Sequence, residues 1–318
     1  MKVYPDLLKE GKLTDKESVI TVGNFDGVHI GHQSILNKLK NYDGYKKVVI
    51  TFKPHPVIFV NPNKKLKLII ADYSDKVKIL EKFSPDCVFL QDFSEEIKNA
   101  RPIEFVKVLK EKLDMKYLIV GDDYNFGKNR AGNVEFLKSI SKKFDFELIV
   151  VPQIDENNQR ITSSYIRRLL LDGNIETANN YLYHPFFIKG FVETGLARGR
   201  KLGFPTINFK SYALNQLYPS NGVYITLTKI DGDKNIYKSL TNIGNSPTFN
   251  EKERRLETHI LEFNNNIYFK KVKISFLYKL RDETKFDSIE DLINQINKDK
   301  ESTIDYLRDF DINALNLA

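Results

Sequence analysis

The densest chemistry in the sequence is the run Gly23-Asn24-Phe25-Asp26-Gly27-Val28-His29-Ile30-Gly31-His32. It follows an apolar stretch, Val19–Val22, and leads into a helical pattern carrying Ile35, Leu36 and Leu39. Glycines let backbone approach a ligand closely. A helix N-terminus offers unpaired N–H groups and partial positive charge to phosphate. His29 and His32, three apart, can face one phosphate chain, where imidazole donors would stabilise charge growing on phosphorus oxygens. The spacing alone also fits a metal pair or two surface histidines. The chain has only five histidines, so this pair is a cluster rather than background.

A second cluster is Arg198-Gly199-Arg200-Lys201-Leu202-Gly203-Phe204-Pro205-Thr206-Ile207-Asn208. Glycines beside cations make a loop that can approach phosphate. Thr206 and Asn208, two apart on an extended segment, point to one side with Ile207 opposite. Both offer hard oxygens suited to a Mg–nucleotide complex. A basic loop before an ordinary strand is the plainer alternative. Downstream, Glu257 interrupts the apolar run Leu256–Phe263, and an acid there is costly to bury without a role or a partner. His259 shares its face. Smaller features each have a plain reading too: His55 between two prolines as a turn residue, Asp122 and Asp123 as solvated loop acids, Ser163 and Ser164 as a helix cap. Arg167 sits in a first helical turn, where the macrodipole disfavours a cation; a bound phosphate would offset that.

The elements that must position these residues differ between the halves. In the first, strand-like runs Val19–Val22, Val48–Phe52, Cys87–Leu90, Leu118–Val120 and Leu148–Val151 alternate with helical patterns such as Asp75–Phe83, with Val77 and Leu80 on one face, and Pro102–Leu113. Alternation predicts an α/β, Rossmann-like domain on a mainly parallel sheet, with ligands beyond the carboxyl ends of its strands. After about Tyr183, short runs rich in Val, Ile, Tyr and Thr take over: Gly222–Lys229, Tyr237–Ile243, Leu256–Phe263 and Val272–Leu280. Asp231-Gly232, Gly244-Asn245 and Asn264-Asn265-Asn266 separate them as turns, which predicts an antiparallel β-barrel or sheet. Two helices, Ser288–Lys298 and Ser302–Phe310, are expected to follow. The expected domains are 1–183 and 184–318.

Composition bounds the rest. At 318 residues the chain is too long for one ordinary core. With 41% hydrophobic and 29% charged residues it is an ordinary globular mix. No apolar run reaches the roughly 18 residues of a membrane span. Met1 to Leu13 lacks a secretory pattern, and the single cysteine, Cys87, reads as buried strand filler. A cytoplasmic protein with no membrane partner is expected. The net charge of +7 is scattered without a basic block, so small phosphorylated molecules are the expected partners rather than nucleic acid. The sequence sets no oligomeric state.

The first cluster resembles the nucleotide-binding loop of the HxGH nucleotidyltransferases. More narrowly, the chain resembles the bacterial bifunctional riboflavin kinase/FMN adenylyltransferases, or FAD synthetases. Thr51-Phe52-Lys53-Pro54-His55-Pro56, Gly121-Asp122-Asp123-Tyr124-Asn125-Phe126-Gly127 with Gly132-Asn133, and Ile161-Thr162-Ser163-Ser164-Tyr165-Ile166-Arg167 match that family's segments in order. In the second half the match continues through the loop ending at Asn208, Asn242-Ile243-Gly244-Asn245-Ser246-Pro247-Thr248-Phe249, the Glu257-Thr258-His259 strand, and Arg281-Asp282-Glu283. The resemblance implies two Mg2+-dependent reactions: riboflavin and ATP give FMN, then FMN and ATP give FAD. For adenylyl transfer it implies catalytic His29 and His32, ATP contacts from Gly23, Phe25, Asp26, His29, Gly31, His32, Ser163, Ser164 and Arg167, and FMN contacts from His55, Pro56, Asp123 and Asn125. For the kinase it implies Glu257 as general base, Gly195, Arg200, Gly203, Pro205, Thr206 and Asn208 around ATP, Thr206 and Asn208 on the metal, and Asn242, Arg281 and Glu283 beside the flavin. Two departures touch no named catalytic group: Phe269 stands where the family has glycine, and 193–197 lacks the family's His-Gly-Asp. The rival readings are a related adenylyl- or cytidylyltransferase with another acceptor, which the kinase motifs oppose, and a flavin- or RNA-binding regulator without catalysis.

Overall fold

The computed structural model describes residues 1–10, 16–156, 158–195, 199, 202–245, 254–312 and 315. They form two compact units, Met1–Ser163 and Ser164–Ala318. This packing division falls earlier in the chain than the boundary expected at 183/184.

The first unit runs β1 (Lys2–Tyr4), β2 (Ser18–Val22), α1 (Ile30–Lys40), β3 (Lys46–Lys53), α2 (Pro56–Phe59), α3 (Tyr73–Glu81), β4 (Cys87–Asp92), α4 (Glu95–Asn99), α5 (Pro102–Leu113), β5 (Met115–Gly121), α6 (Val134–Ser141), β6 (Glu147–Val151) and a small antiparallel pair, β7 (Asp155–Glu156) and β8 (Gln159–Arg160). Its main sheet has the order β1-β4-β3-β2-β5-β6, and every pairing is parallel. All five residues of β2, Ser-Val-Ile-Thr-Val, are buried, as a parallel strand covered on both faces requires. The helix expected at Pro102–Leu113 forms over that span and buries Val106, Leu109 and Leu113 on the core that holds Ile20, Leu118 and Val120. Cys87 opens β4 as a buried filler, its thiol pushed up to about 11 by burial. The chain leaves β2 for β3 and β4 on one side, then returns to β5 on the other. The crevice of this sheet therefore lies at the carboxyl ends of β2 and β5.

The second unit begins with α7 (Ser163–Asp172), whose first residue belongs to the preceding unit, and α8 (Ile175–Tyr181). Then come β9 (Phe187–Glu193), β10 (Ile207–Ser211), β11 (Gly222–Ile230), β12 (Ile236–Asn245), β13 (Arg254–Ile260), β14 (Lys271–Arg281) and α9 (Ile289–Tyr306). The six strands close an antiparallel barrel in the order β10-β13-β12-β11-β14-β9, with β9 and β10 completing the ring. Asn179 of α8 explains why the helices group with the barrel: its amide donates to Phe276 O at 2.9 Å and accepts from Phe186 N at 2.7 Å. On one face of the strands, Thr226, Thr228, Ser239, Thr241 and Thr258 are fully buried and joined hydroxyl to hydroxyl at 2.8–2.9 Å. The opposite face of β11 and β14 presents Ile225, Leu227 and Leu277 to Leu307, beyond α9.

The two helices expected at Ser288–Lys298 and Ser302–Phe310 are one. α9 runs unbroken through the charged stretch Lys298-Asp299-Lys300-Glu301, capped by Ser288, whose hydroxyl accepts from Asp291 N at 3.0 Å. Lysine and glutamate sustain helix, and Asp299 turns inward to Arg281 rather than marking a break. Gly244-Asn245, expected as a turn, lies inside β12, and the chain beyond it to 253 is outside the described residues.

Candidate active sites

After β2 the backbone enters the crevice in an unusual path. Phe25, Gly27 and Val28 have φ of 47°, 75° and 43°. A β-branched residue with left-handed φ is strained, at a cost of about 1–3 kcal/mol, and persists only when its surroundings dictate it. Here they do. Val28 and Phe25 are buried. The Asp26 carboxylate accepts from Ile70 N at 2.9 Å, and Asp26 O accepts from the Ser163 hydroxyl at 3.2 Å. Gly23 N donates to Ile50 O of β3 at 3.0 Å. The result sets His29 just ahead of α1 and His32 in its first turn, rings stacked with centroids 3.7 Å apart. The edge of Phe25 packs on His32. Gly31 lies beneath His29, where an added Cβ would come within 3.2 Å of the ring.

The other first-unit residues divide between binding and framework geometry. His55 caps the short helix α2 that begins at Pro56, its Nδ1 accepting from Val57 N at 3.2 Å, while its backbone N donates to Tyr73 Oη at 2.9 Å. Asp123 and Asn125 are exposed just beyond β5, linked by Asn125 Nδ2 donating to Asp123 O. Behind them Tyr124 stacks on Phe126, which pairs with Gly132 through two backbone hydrogen bonds, and Asn133 caps α6 by accepting from Phe136 N at 2.8 Å. Burial pushes the Tyr124 phenol well above its usual range. Ser163 is the first residue of α7, with Ser164 and Arg167 on the same helix in the second unit.

One residue of this site escaped sequence reasoning. Lys76 of α3 is only 4% exposed, and its ammonium donates to Asn24 O at 3.0 Å, Thr51 Oγ1 at 2.8 Å and Phe52 O at 3.2 Å. Burial pulls its pKa down to about 8, against the opposing pull of Asp26 and Asp72. Its sequence signal is a lysine in an apolar stripe, Lys76, Ile79, Leu80 and Phe83, at the i, i+3, i+4, i+7 spacing of a helix face.

In the second unit Glu257 lies on β13 directly between two asparagines. It pairs with Asn208 of β10 on one side and Asn242 of β12 on the other, and all three are half-buried. Paired residues project to one face, so a carboxylate is flanked by two amides. Ile207 pairs instead with the buried Thr258, on the opposite face, as expected. The loop glycines fit around this row: an added Cβ on Gly195 would sit 1.8 Å from Asn208 Nδ2, and one on Gly199 2.4 Å from Phe204 O and 3.1 Å from Thr206 Oγ1. Gly203 turns with φ 86°. His259 Nδ1 donates to Pro205 O at 2.8 Å, fixing the segment that carries Thr206; burial lowers its pKa. A cavity of about 360 Å³ opens beside Thr206, lined also by Ile260, Asn264, Asn265 and Tyr268. Of these, Asn264 and Asn265 are expected from sequence only as a turn.

Arg281 is held by Asp299 of α9, with Nε at 3.0 Å from both carboxylate oxygens and Nη2 at 2.7 Å. Glu283 accepts from Asn221 Nδ2 at 2.9 Å and packs against Gly244. Arg198, Arg200 and Lys201, Leu196 and Ala197 of the altered loop, and Ser246-Pro247-Thr248-Phe249 lie outside the described residues. Among the described residues no group of three or more His, Cys, Asp or Glu side chains could hold a metal, so a metal pair at His29 and His32 gains no further ligands there.

Comparison with known proteins matches both halves. The FAD synthetase family model matches residues 12–165, and the riboflavin kinase family model matches residues 182–307. The chain is 34% identical over 300 residues to the bifunctional riboflavin kinase/FMN adenylyltransferase of Bacillus subtilis, covering 91% of this chain and 92% of that one. It is 32% identical over 306 residues to the enzyme of that name from Escherichia coli K12, covering 94% and 96%. A crystal structure from Streptococcus pneumoniae described as a macrolide-efflux protein superposes with a TM-score of 0.87 at 32% identity, over 98% of this chain and all of that one. That description stays with the Streptococcus protein; among the described residues here no helix is long and apolar enough to cross a membrane. With both halves matched in order and curated relatives at this identity over nearly the whole chain, the protein belongs to the bifunctional riboflavin kinase/FMN adenylyltransferase family.

Proposed function

We propose an assignment of this family's two activities to particular residues of the chain. The C-terminal half is the riboflavin kinase and the N-terminal half the FMN adenylyltransferase, with the functional boundary near 183/184. The observation that carries the kinase half is the row Asn208–Glu257–Asn242 across three strands. Glu257 takes the proton from the riboflavin 5′-hydroxyl, whose oxygen attacks the γ-phosphorus of ATP; ADP leaves and FMN remains. Asn242 and Glu283 orient the flavin beside this carboxylate, with Arg281 supporting that side through Asp299. Gly195, Gly203 and Pro205 shape the loop on the nucleotide phosphates, and Arg200 is assigned there on its motif alone. The hard oxygens of Thr206 and Asn208 fit Mg2+, which usually takes few protein ligands and completes its shell with phosphate and water. Bound there, Mg2+ would neutralise charge on the phosphates of ATP.

In the N-terminal half, an oxygen of the FMN phosphate attacks the α-phosphorus of a second ATP; pyrophosphate leaves and FAD forms. His29 and His32 donate to the phosphate oxygens as charge builds on them. Gly23, Phe25, Asp26 and Gly31 hold the loop open to the nucleotide, and Ser163, Ser164 and Arg167 hold its triphosphate. His55, Pro56, Asp123 and Asn125 border the FMN. Both steps rest on positioning and electrostatics rather than covalent intermediates. A cytoplasmic location, with small molecules as partners rather than nucleic acid or membrane, fits this chemistry. Incubating the protein with riboflavin and Mg-ATP and separating the flavins by chromatography tests the whole assignment. FMN should appear first and FAD after it; riboflavin recovered unchanged would overturn it.

A further inference from the structure

Lys76 is a cation the two reactions above do not use. Its three hydrogen-bond acceptors are all neutral: two backbone carbonyls and a hydroxyl. An ammonium has three N–H donors, so the charged form is fully satisfied and the neutral amine would not be. Thr51 relays the contact, accepting from Lys76 while donating to Asn24 O at 3.0 Å. Such a buried charge with no carboxylate bonded to it is expensive, and leucine or methionine would serve the same packing more cheaply. The titratable groups around it are Asp26 on the loop after β2, Asp72 at the cap of α3, and Tyr73 and Asp75 on that helix; Tyr73 Oη also accepts from the backbone N of His55. The Tyr73 ring lies 5.4 Å from the ammonium.

The three acceptors come from two places. Asn24 begins the strained loop that delivers His29 and His32, whereas Thr51 and Phe52 close β3 just before His55. One ammonium therefore ties the loop assigned to ATP to the strand end assigned to FMN. We propose that Lys76 is a positioning residue for adenylyl transfer, locking these two segments together and placing a fixed positive charge behind the site where the phosphates of both substrates meet. This rests on the assignment of adenylyl transfer to the N-terminal half. Three hydrogen bonds and the nearby Asp26 and Asp72 offset part of the cost of burying the charge, and anionic substrates in the crevice would offset more.

Charge and packing make opposite predictions with pH. The folded pKa of Lys76 is lowered to about 8 from an ordinary 10.5. Between those values the unfolded chain binds the extra proton, so stability from this group rises with pH across that window. The proposed contribution to catalysis falls across the same window, as the ammonium loses its proton.

The test compares full-length wild type with Lys76→Met and Lys76→Arg. FMN adenylylation is followed from pH 6.5 to 9.5, riboflavin phosphorylation serves as internal control, and a melt is run at each pH. The expected result is a kcat for FAD formation on the order of 100-fold lower in Lys76→Met. Its kinase rate and melting temperature should be kept or raised, with substantial rescue in Lys76→Arg. Wild-type kcat should fall above about pH 8 with no parallel fall in melting temperature, and that readout needs no variant to fold. Wild-type kcat in Lys76→Met, or a loss that only tracks a lowered melting temperature, would overturn the proposal. Absence of FAD formation in the wild type would instead overturn the functional assignment, which separates the two failures.

Discussion

Asn208 and Glu257 stand directly opposite each other on β10 and β13, and Asn242 completes the row from β12. Glu257 thus becomes the neighbour of residues 49 and 15 positions away along the chain (257 − 208 and 257 − 242). The amide proposed for the metal side and the proposed base are both held by strand register. A site on paired strands keeps its geometry when one side chain is altered.

That rigidity makes Glu257→Gln a clean test. The change keeps size and hydrogen-bonding shape but removes the base. Riboflavin phosphorylation should fall by about 100- to 10,000-fold. Supplied FMN should still be converted to FAD, and riboflavin and ATP should still bind. A normal kinase rate would make Glu257 a structural acid. Loss of both activities together, with a changed melt by circular dichroism, would indicate misfolding instead.

The converse test is His29→Ala combined with His32→Ala. If the stacked rings act on one phosphate chain, as proposed, losing one such donor would cost about 100- to 1000-fold in rate. FMN adenylylation should be abolished while riboflavin phosphorylation continues nearly unchanged. Near-normal FAD formation from FMN by the double variant would place the chemistry elsewhere.

Local pattern made the fold legible, whereas the roles expected of the site residues came from the resemblance of their motifs. The parallel strands read as continuous apolar runs because both faces are covered, and the barrel strands read through Val, Ile and Thr punctuated by turns. What the sequence concealed depends on contacts distant along the chain. Asp26 accepts from Ile70 N, and His259 donates to Pro205 O, so one acid serves the loop's framework and one histidine orients the segment carrying Thr206. Lys76 was missed because the helical face was drawn through Val77 and Leu80, whereas the buried face runs through Asp75, Lys76, Ile79 and Leu80. The single helix α9, expected as Ser288–Lys298 and Ser302–Phe310, runs on through the charged stretch between them, where Asp299 is 4% exposed and paired.

That pair gives a third prediction. If Arg281 acts mainly by anchoring α9, Arg281→Met should destabilise the barrel unit by up to about 3 kcal/mol, because the buried Asp299 carboxylate loses its cation. Arg281→Met with Asp299→Leu should then be less destabilised than the sum of the single changes, since residues in direct contact couple. Denaturant melts of the four proteins measure this. A raised riboflavin KM in Arg281→Met, with stability unchanged and additive energetics, would instead make Arg281 a direct flavin contact.

The last prediction concerns acid stability and turns on His184. The residue is 3% exposed between α8 and β9, its Nδ1 donating to Pro185 O at 2.8 Å and its ring 4.8 Å from Phe187. Among the described residues its Nε2 has no hydrogen-bond partner, so the neutral ring is the form the fold accommodates. Burial lowers its pKa to about 4 from an ordinary 6.5, with Lys273 and Lys189 pushing the same way. The sign follows from proton uptake. Between pH 6.5 and 4 the unfolded chain binds a proton that the folded chain does not, so stability from this group is full above pH 6.5 and is lost as pH falls through that window. At about 1.4 kcal/mol per pH unit the loss approaches roughly 3 kcal/mol. His184→Asn keeps a donor for Pro185 O and removes the titration. Its absolute stability should fall from lost packing, but the slope of unfolding free energy against pH between 4 and 6.5 should flatten by about one proton relative to wild type. Urea melts at half-unit pH steps measure the slope, and an unchanged slope would show that His184 titrates in the folded protein as it does in the unfolded chain.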